Sequence, residues 1–150
     1  MLLYLKKKAI DLNDIAAVDG RITIVAGMPK ASGPIRFGAS NHTGRLLLKA
    51  KQLDNEINAV VNIKFDPDTI EKLKNTPLSL ISVDRLKSNA DIRIKEQSSM
   101  GWIVQEAYNQ LNEIPDIIWD SGEPEKEPMI RLFAKSAFDL IDKLEIFLNL

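Results

Sequence analysis

Cysteine is absent from this 150-residue chain, and histidine occurs once, at His42. The first absence excludes disulfides and thiolate metal centres, and a single histidine argues against the usual zinc and iron ligand sets. An excess of one charge is also missing. The 20 Lys and Arg nearly balance 21 Asp and Glu, so no overall field draws nucleic acid or an anionic membrane. Any anion must be held locally. No apolar run approaches the roughly 18 residues that span a bilayer. Residues 1–5 are apolar but are followed at once by Lys6-Lys7-Lys8, which is too short a run with its charges on the wrong side for a signal peptide. A reducing cytoplasm is the expected compartment.

What is present is enough apolar content for one buried core, 45% of residues, in a chain too short to favour two domains. Residues 1–150 are therefore expected to form one domain. Strands are expected at residues 2–5, 21–25, 35–37, 58–63, 78–83, 116–119 and 129–134. A short helical turn is expected over residues 12–18. One helix follows residues 40–45, and Asp66-Pro67-Asp68 opens another that Thr76-Pro77 stops. Ser98 or Ser99 should cap a third, with Trp102, Ala107 and Leu111 facing inward. Phe138, Ile141, Leu144, Ile146 and Phe147 mark an amphipathic helix at the end of the chain. Strands alternating with helices make a layered α/β pattern.

The segment Gly38-Ala39-Ser40-Asn41-His42-Thr43-Gly44-Arg45 gathers small residues, capping side chains, the histidine and a cation at one strand-to-helix junction. Ser40 or Asn41 is placed to cap the helix, whose free N–H groups and positive dipole end favour phosphate. Two other polar segments fall at expected strand or helix ends, Ser82-Val83-Asp84-Arg85 and Gln97-Ser98-Ser99. In α/β folds ligands gather where such ends converge. The chain could thus hold two anionic groups.

Seven segments, in order, give the chain a resemblance to the ThiN family of archaeal-type thiamine-phosphate synthase domains. They are Ala16-Ala17-Val18-Asp19-Gly20-Arg21-Ile22, Phe37-Gly38-Ala39-Ser40-Asn41-His42, Val61-Asn62-Ile63-Lys64, Asp84-Arg85, Gly101-Trp102, Pro115-Asp116-Ile117-Ile118-Trp119-Asp120 and Lys126-Glu127-Pro128-Met129-Ile130-Arg131. The resemblance implies a three-layer α/β/α fold around a central mixed sheet, like the N-terminal domain of class II aldolases. It implies condensation of hydroxymethylpyrimidine diphosphate with hydroxyethylthiazole phosphate, giving thiamine phosphate and pyrophosphate. The family's two activity-linked residues fall on Arg21 and His42. Ser40, Asn41, Asn62, Asp84, Arg85, Gln97, Ser98 and Ser99 are the expected substrate contacts, with Arg36, Arg45 and Lys126 as further cations.

The chemistry asks for such groups independently. Charge grows on the departing pyrophosphate, and an arginine fork meets two of its oxygens at once while an imidazole donates to a third. Mg²⁺ is the expected cofactor, bridging diphosphate oxygens, with no carboxylate singled out to hold it. Members of the family occur alone, fused to a hydroxymethylpyrimidine kinase, or joined to a DNA-binding domain. The resemblance therefore leaves open a piece of a kinase fusion, a homodimer by analogy with related folds, and a thiamine-phosphate sensor of a regulator. Arg21 is present and no helix-turn-helix is legible, which favours the enzyme.

Overall fold

The computed structural model describes residues 2–5, 9–87, 96–124 and 126–150. Its strands are β1 (Leu2–Leu5), β2 (Ile15–Val18), β3 (Ile22–Val25), β4 (Met28–Ala31), β5 (Ile35–Phe37), β6 (Ala59–Lys64), β7 (Leu80–Ser82), β8 (Ile117–Asp120) and β9 (Met129–Ala134). The helices are α1 (His42–Leu53), α2 (Pro67–Leu73), α3 (Glu96–Leu111) and α4 (Ala137–Leu148).

Seven strands form one sheet in the order β5-β2-β1-β6-β9-β8-β7. Neighbours pair antiparallel except β7 and β8, which run parallel. That pair is joined through α3, the crossover that a parallel connection requires. Alternation along the central strands supplies two cores. Val60, Ile118 and Phe133 turn to one face with Leu46, Leu47 and Ala50 of α1 and Ile103, Val104 and Ala107 of α3. Ala59, Val61, Ile117, Ile130 and Leu132 turn to the other with Ile70 and Leu73 of α2 and Leu140 of α4. The result is the expected α/β/α sandwich around a mixed sheet. Among the described residues no helix is long and apolar enough to cross a membrane.

Three expectations are corrected, while the strand expected at residues 21–25 is found at 22–25. The helical turn ends at Asp14, where Asp11 accepts from the Asn13 N–H, and residues 15–18 are strand β2. Pairing on both sides, to β1 and β5, outweighs the weak helical pattern there. Residues 22–25 join no large sheet; they pair with β4 in a separate hairpin that places Pro29 opposite Ile24. Such a ribbon has two free edges, so a proline is tolerated, and its turn at Ala26 and Gly27 takes positive φ at both residues, 51° and 78°. In α3 the inward stripe is Ile103, Val104 and Ala107, with Leu111 exposed. In α4 Phe138 and Ile141 face outward, while Leu140, Leu144 and Phe147 pack on the sheet. Of the expected positions Ala107 is buried, Trp102 packs at the edge of the core, and Leu144, Ile146 and Phe147 pack on the sheet; the misses are Leu111, Phe138 and Ile141.

Asp116, at the entrance to β8, holds three elements together. Its Oδ2 accepts from the N–H (2.8 Å) and hydroxyl (3.0 Å) of Ser79 before β7, and its Oδ1 meets Lys143 of α4 at 2.7 Å. Burial pushes this carboxyl up, but the hydrogen bonds from Lys143 and Ser79 and the Lys143 charge outweigh it, leaving the pKa below the usual value. A lowered native pKa means stability that is fully present above the unfolded value near 3.9 and lost as pH falls through the native one. Asp116→Ala should therefore cost about 1.5–3 kcal/mol at neutral pH. Denaturant melts of the two proteins should converge as pH falls below 4; a constant gap would exclude the linkage.

Candidate active site

The same alternation that builds the cores sends polar side chains to one end of the sheet. Asn62 and Lys64 of β6, Met129 and Arg131 of β9 and Asp120 of β8 share the parity of Val60, Phe133 and Ile118, and so lie on the α1/α3 face. Register brings them together, with Asn62 opposite Arg131 and Met129 opposite both Lys64 and Asp120. The first turns of α1 and α3 sit over this end, carrying His42 with Thr43 and Ser99 with Met100.

A cavity of about 270 Å³ lies between them, lined by His42, Thr43, Leu46, Asn62, Arg85, Ser99, Met100, Lys126, Glu127, Met129 and Arg131. A second, about 370 Å³, is lined by Arg21, Ile22, Lys64 and Pro128 together with Thr43, Asn62, Glu127 and Met129. The shared wall makes the two one cleft. Asn62 Nδ2 donates to Thr43 Oγ1 at 3.0 Å within that wall, tying β6 to α1.

Two glycines position the candidate catalytic pair. Gly20 has φ +90°, and a Cβ there would stand 2.4 Å from Ser32 Oγ. That hydroxyl accepts the Arg21 N–H at 2.7 Å, while the Ser32 N–H donates to the Arg21 carbonyl at 2.8 Å, so the backbone of Arg21 is clamped and its side chain remains exposed. Gly44 lets α1 approach the turn before β2; a Cβ would meet Leu12 Cδ2 at 2.8 Å. This fixes His42 at the helix start, exposed on the cavity rim.

Behind the inner cavity lies a buried ionic cluster. Asp120, 1% exposed, accepts from Arg131 Nη1 at 2.7 Å and stands 3.6 Å from Arg85 Nη1. Glu123 Oε1 pairs with Arg85 at 3.3 Å and Lys126 at 2.7 Å. Burial pulls the Arg131 pKa below its ordinary value, as does the nearby Arg85 charge, while Asp120 opposes them. Guanidinium is the suitable cation here, since it titrates far above neutrality and is less strongly hydrated than ammonium.

The sequence expectations fare unevenly. Arg21, His42, Asn62, Arg85 and Ser99 line the cleft, as does Lys126. Ser40 is buried and Asn41 exposed, and neither lines it. Neither caps α1 through its side chain: Asn41 has helical angles, φ −92° and ψ −61°, where capping needs an extended residue, and its Oδ1 accepts from Arg45 Nε instead. Asp84 is exposed and accepts from the Leu86 N–H. It stands outside the cleft lining, unlike its neighbour Arg85. Arg36 pairs with Asp19 on the surface. Helix α3 begins at Glu96, so Ser99 lies within its first turn and does not cap it. The side chains of Gln97 and Ser98 lie outside the described residues. Arg131 was missed because its strand reads as core; its signal was one cation at an inward position among Ile130, Leu132 and Phe133, which demands a buried partner. Thr43, Lys64, Glu127 and Met129 carry no such signal.

The family model for thiamine-phosphate synthase ThiN matches residues 2–146. The chain belongs to the ThiN family. It is 36% identical over 137 residues to the bifunctional thiamine biosynthesis protein ThiDN of Methanocaldococcus jannaschii, covering 91% of this chain and 31% of that protein. It is 33% identical to the thiamine-phosphate synthase ThiN of Methanothermobacter thermautotrophicus, covering 86% of this chain and 68% of that one. The chain thus spans about a third of the bifunctional relative. Among solved structures, the C-terminal domain of a phosphomethylpyrimidine kinase superposes with a TM-score of 0.89 at 28% identity, covering 97% of this chain and 83% of that one. A second C-terminal domain gives a TM-score of 0.89 at 33% identity, covering 99% and 79%.

In this ThiN domain Asp120, with Glu123 on the far side of Arg85, makes two buried guanidinium groups tolerable. Asp120→Ala should cost about 3–5 kcal/mol, the usual penalty for stranding buried charge. Urea unfolding would show it, and a loss under 1 kcal/mol would mean that water already solvates the cluster.

Proposed function

We propose that this ThiN domain is a thiamine-phosphate synthase that joins hydroxymethylpyrimidine diphosphate to hydroxyethylthiazole phosphate. The observation that carries the reading is that Arg21 and His42, 21 positions apart in sequence, line two cavities that share one wall and are each lined by cations. In the reaction the bond from the pyrimidine methylene carbon to diphosphate oxygen breaks, its electron pair leaving with pyrophosphate. The thiazole nitrogen supplies the pair for the new carbon–nitrogen bond. The pyrimidine ring stabilises positive charge on the carbon, so the protein's task is to receive negative charge on the leaving oxygen.

Arg21 suits that task through a fork that spans two phosphate oxygens. His42, at the cavity rim, donates a hydrogen bond or a proton to the same group. Met100, Met129 and Leu46 give the heterocycles an apolar wall. Glu127 is the carboxylate that lines both stretches of the cleft, and among the described residues no cluster of three acidic or histidine ligands occurs. One carboxylate plus substrate oxygens fits Mg²⁺, which is commonly held that way and would neutralise diphosphate charge when bound. Kinase fusion belongs to the relatives named above. Self-association is part of this proposal, supported by the exposed apolar residues Ile24, Val25 and Met28 on the hairpin that carries Arg21.

Incubation of the chain with both precursors and Mg²⁺ should yield thiamine phosphate. Tight product binding without turnover would instead identify a sensor. Arg21→Ala should lower kcat/KM by about 10²–10³-fold and His42→Ala by about 10²-fold or more. Both side chains are exposed, so melting temperatures should hold; wild-type turnover in Arg21→Ala would remove that residue from the mechanism.

A further inference from the structure

The cleft is not uniformly cationic. Its inner stretch is lined by Arg85, Lys126 and Arg131, its outer stretch by Arg21 and Lys64. The wall common to both, Thr43, Asn62, Glu127 and Met129, contains no cation. The two sets also differ in kind. The guanidinium groups of the inner set are 3% and 5% exposed and are held from behind by Asp120 and Glu123, which do not themselves line the cavity. Arg21 and Lys64 are exposed.

The proposed reaction brings two anionic groups to one cleft, and an in-line displacement keeps the attacking nitrogen and the departing oxygen on opposite sides of the carbon. Two clustered phosphoryl groups drawn into a single cationic patch would bring nucleophile and leaving group to the same side. Two separated patches prevent that. Resting on the synthase reading, we infer that the inner patch of Arg85, Lys126 and Arg131 is the subsite for the monophosphate of the thiazole, that Arg21 and Lys64 receive the diphosphate, and that His42, on the rim of the inner stretch, meets the leaving oxygen where the two stretches adjoin.

Burial gives the direction of the assignment. A monophosphate is not cleaved and keeps the same charge from substrate to product, so a fixed pocket whose cations are already oriented holds it without reorganisation. Its charge of about −1.5 to −2 suits a small set of prealigned donors. Pyrophosphate must leave, and exposed, mobile cations release a hydrated polyanion to solvent more readily.

Lys126 provides the test, because its side chain is 27% exposed and its removal leaves the buried Arg85, Asp120 and Arg131 contacts in place. Calorimetric titrations would use hydroxyethylthiazole phosphate, unphosphorylated hydroxyethylthiazole and inorganic pyrophosphate. Lys126→Ala should weaken the thiazole phosphate about tenfold or more, the worth of one charge-assisted hydrogen bond, and leave the other two ligands unchanged. Lys126→Arg should restore most of the affinity. Arg21→Ala should show the reverse pattern, weakening pyrophosphate alone. Loss of pyrophosphate affinity in Lys126→Ala, or equal loss of both anions, would overturn the assignment even if the wild-type chain makes thiamine phosphate. Absence of that product from the wild type would overturn the synthase reading itself.

Discussion

One carboxylate, Asp120, sets the terms for the functional end of this molecule. It stands at the end of β8 with almost no exposure and holds Arg131 of the adjacent strand β9 and Arg85 of the turn after β7. Two buried guanidinium groups side by side repel, and each would lose several kcal/mol of hydration without an anion between them. With Asp120 in place they become fixed donors on the cavity wall. The pairing also constrains register: a one-residue slip of β9 against β8 would turn Arg131 to the opposite face and strand it in the α2/α4 core.

That constraint explains how a nearly neutral chain can hold highly charged substrates. Net charge says nothing about where charge is placed, and here three cations face the inner cavity while the carboxylates balancing them sit behind. Both α1 and α3 begin at this end of the sheet, so their N-terminal peptide groups add to the same positive field.

The layered architecture was legible because its signals are short in range and redundant. Val-rich β6, the Pro67 start of α2 and the alternating Ile117-Ile118 and Ile130-Arg131-Leu132-Phe133 strands each announce themselves within a few residues. The hairpin was half legible. Residues 22–25 read as a strand, but nothing local says that they pair only with a proline-bearing partner outside the main sheet. Within the cleft, His42 stood out by scarcity and Arg21 by family resemblance. Arg131 did not, because its meaning depends on Asp120, which lies 11 positions away and joins it only through strand pairing. Glu127 and Lys64 read as ordinary surface charges until β6 and β9 are laid side by side.

The contrast between the two ends of the cleft follows from how each is built. Arg131 sits on β9 and Arg85 on the turn after β7, and both side chains are buried beside Asp120, so their side-chain entropy was lost on folding. Arg21 sits on a two-stranded ribbon, secured through Gly20 and Ser32 but with its side chain in solvent. A ribbon of that size is marginal alone, so the cation on it can follow a moving ligand where the buried pair cannot. Fixed orientation and easy release ask for opposite properties, and the fold supplies them on either side of one shared wall by burying the Arg85 and Arg131 guanidinium groups and leaving Arg21 and Lys64 exposed.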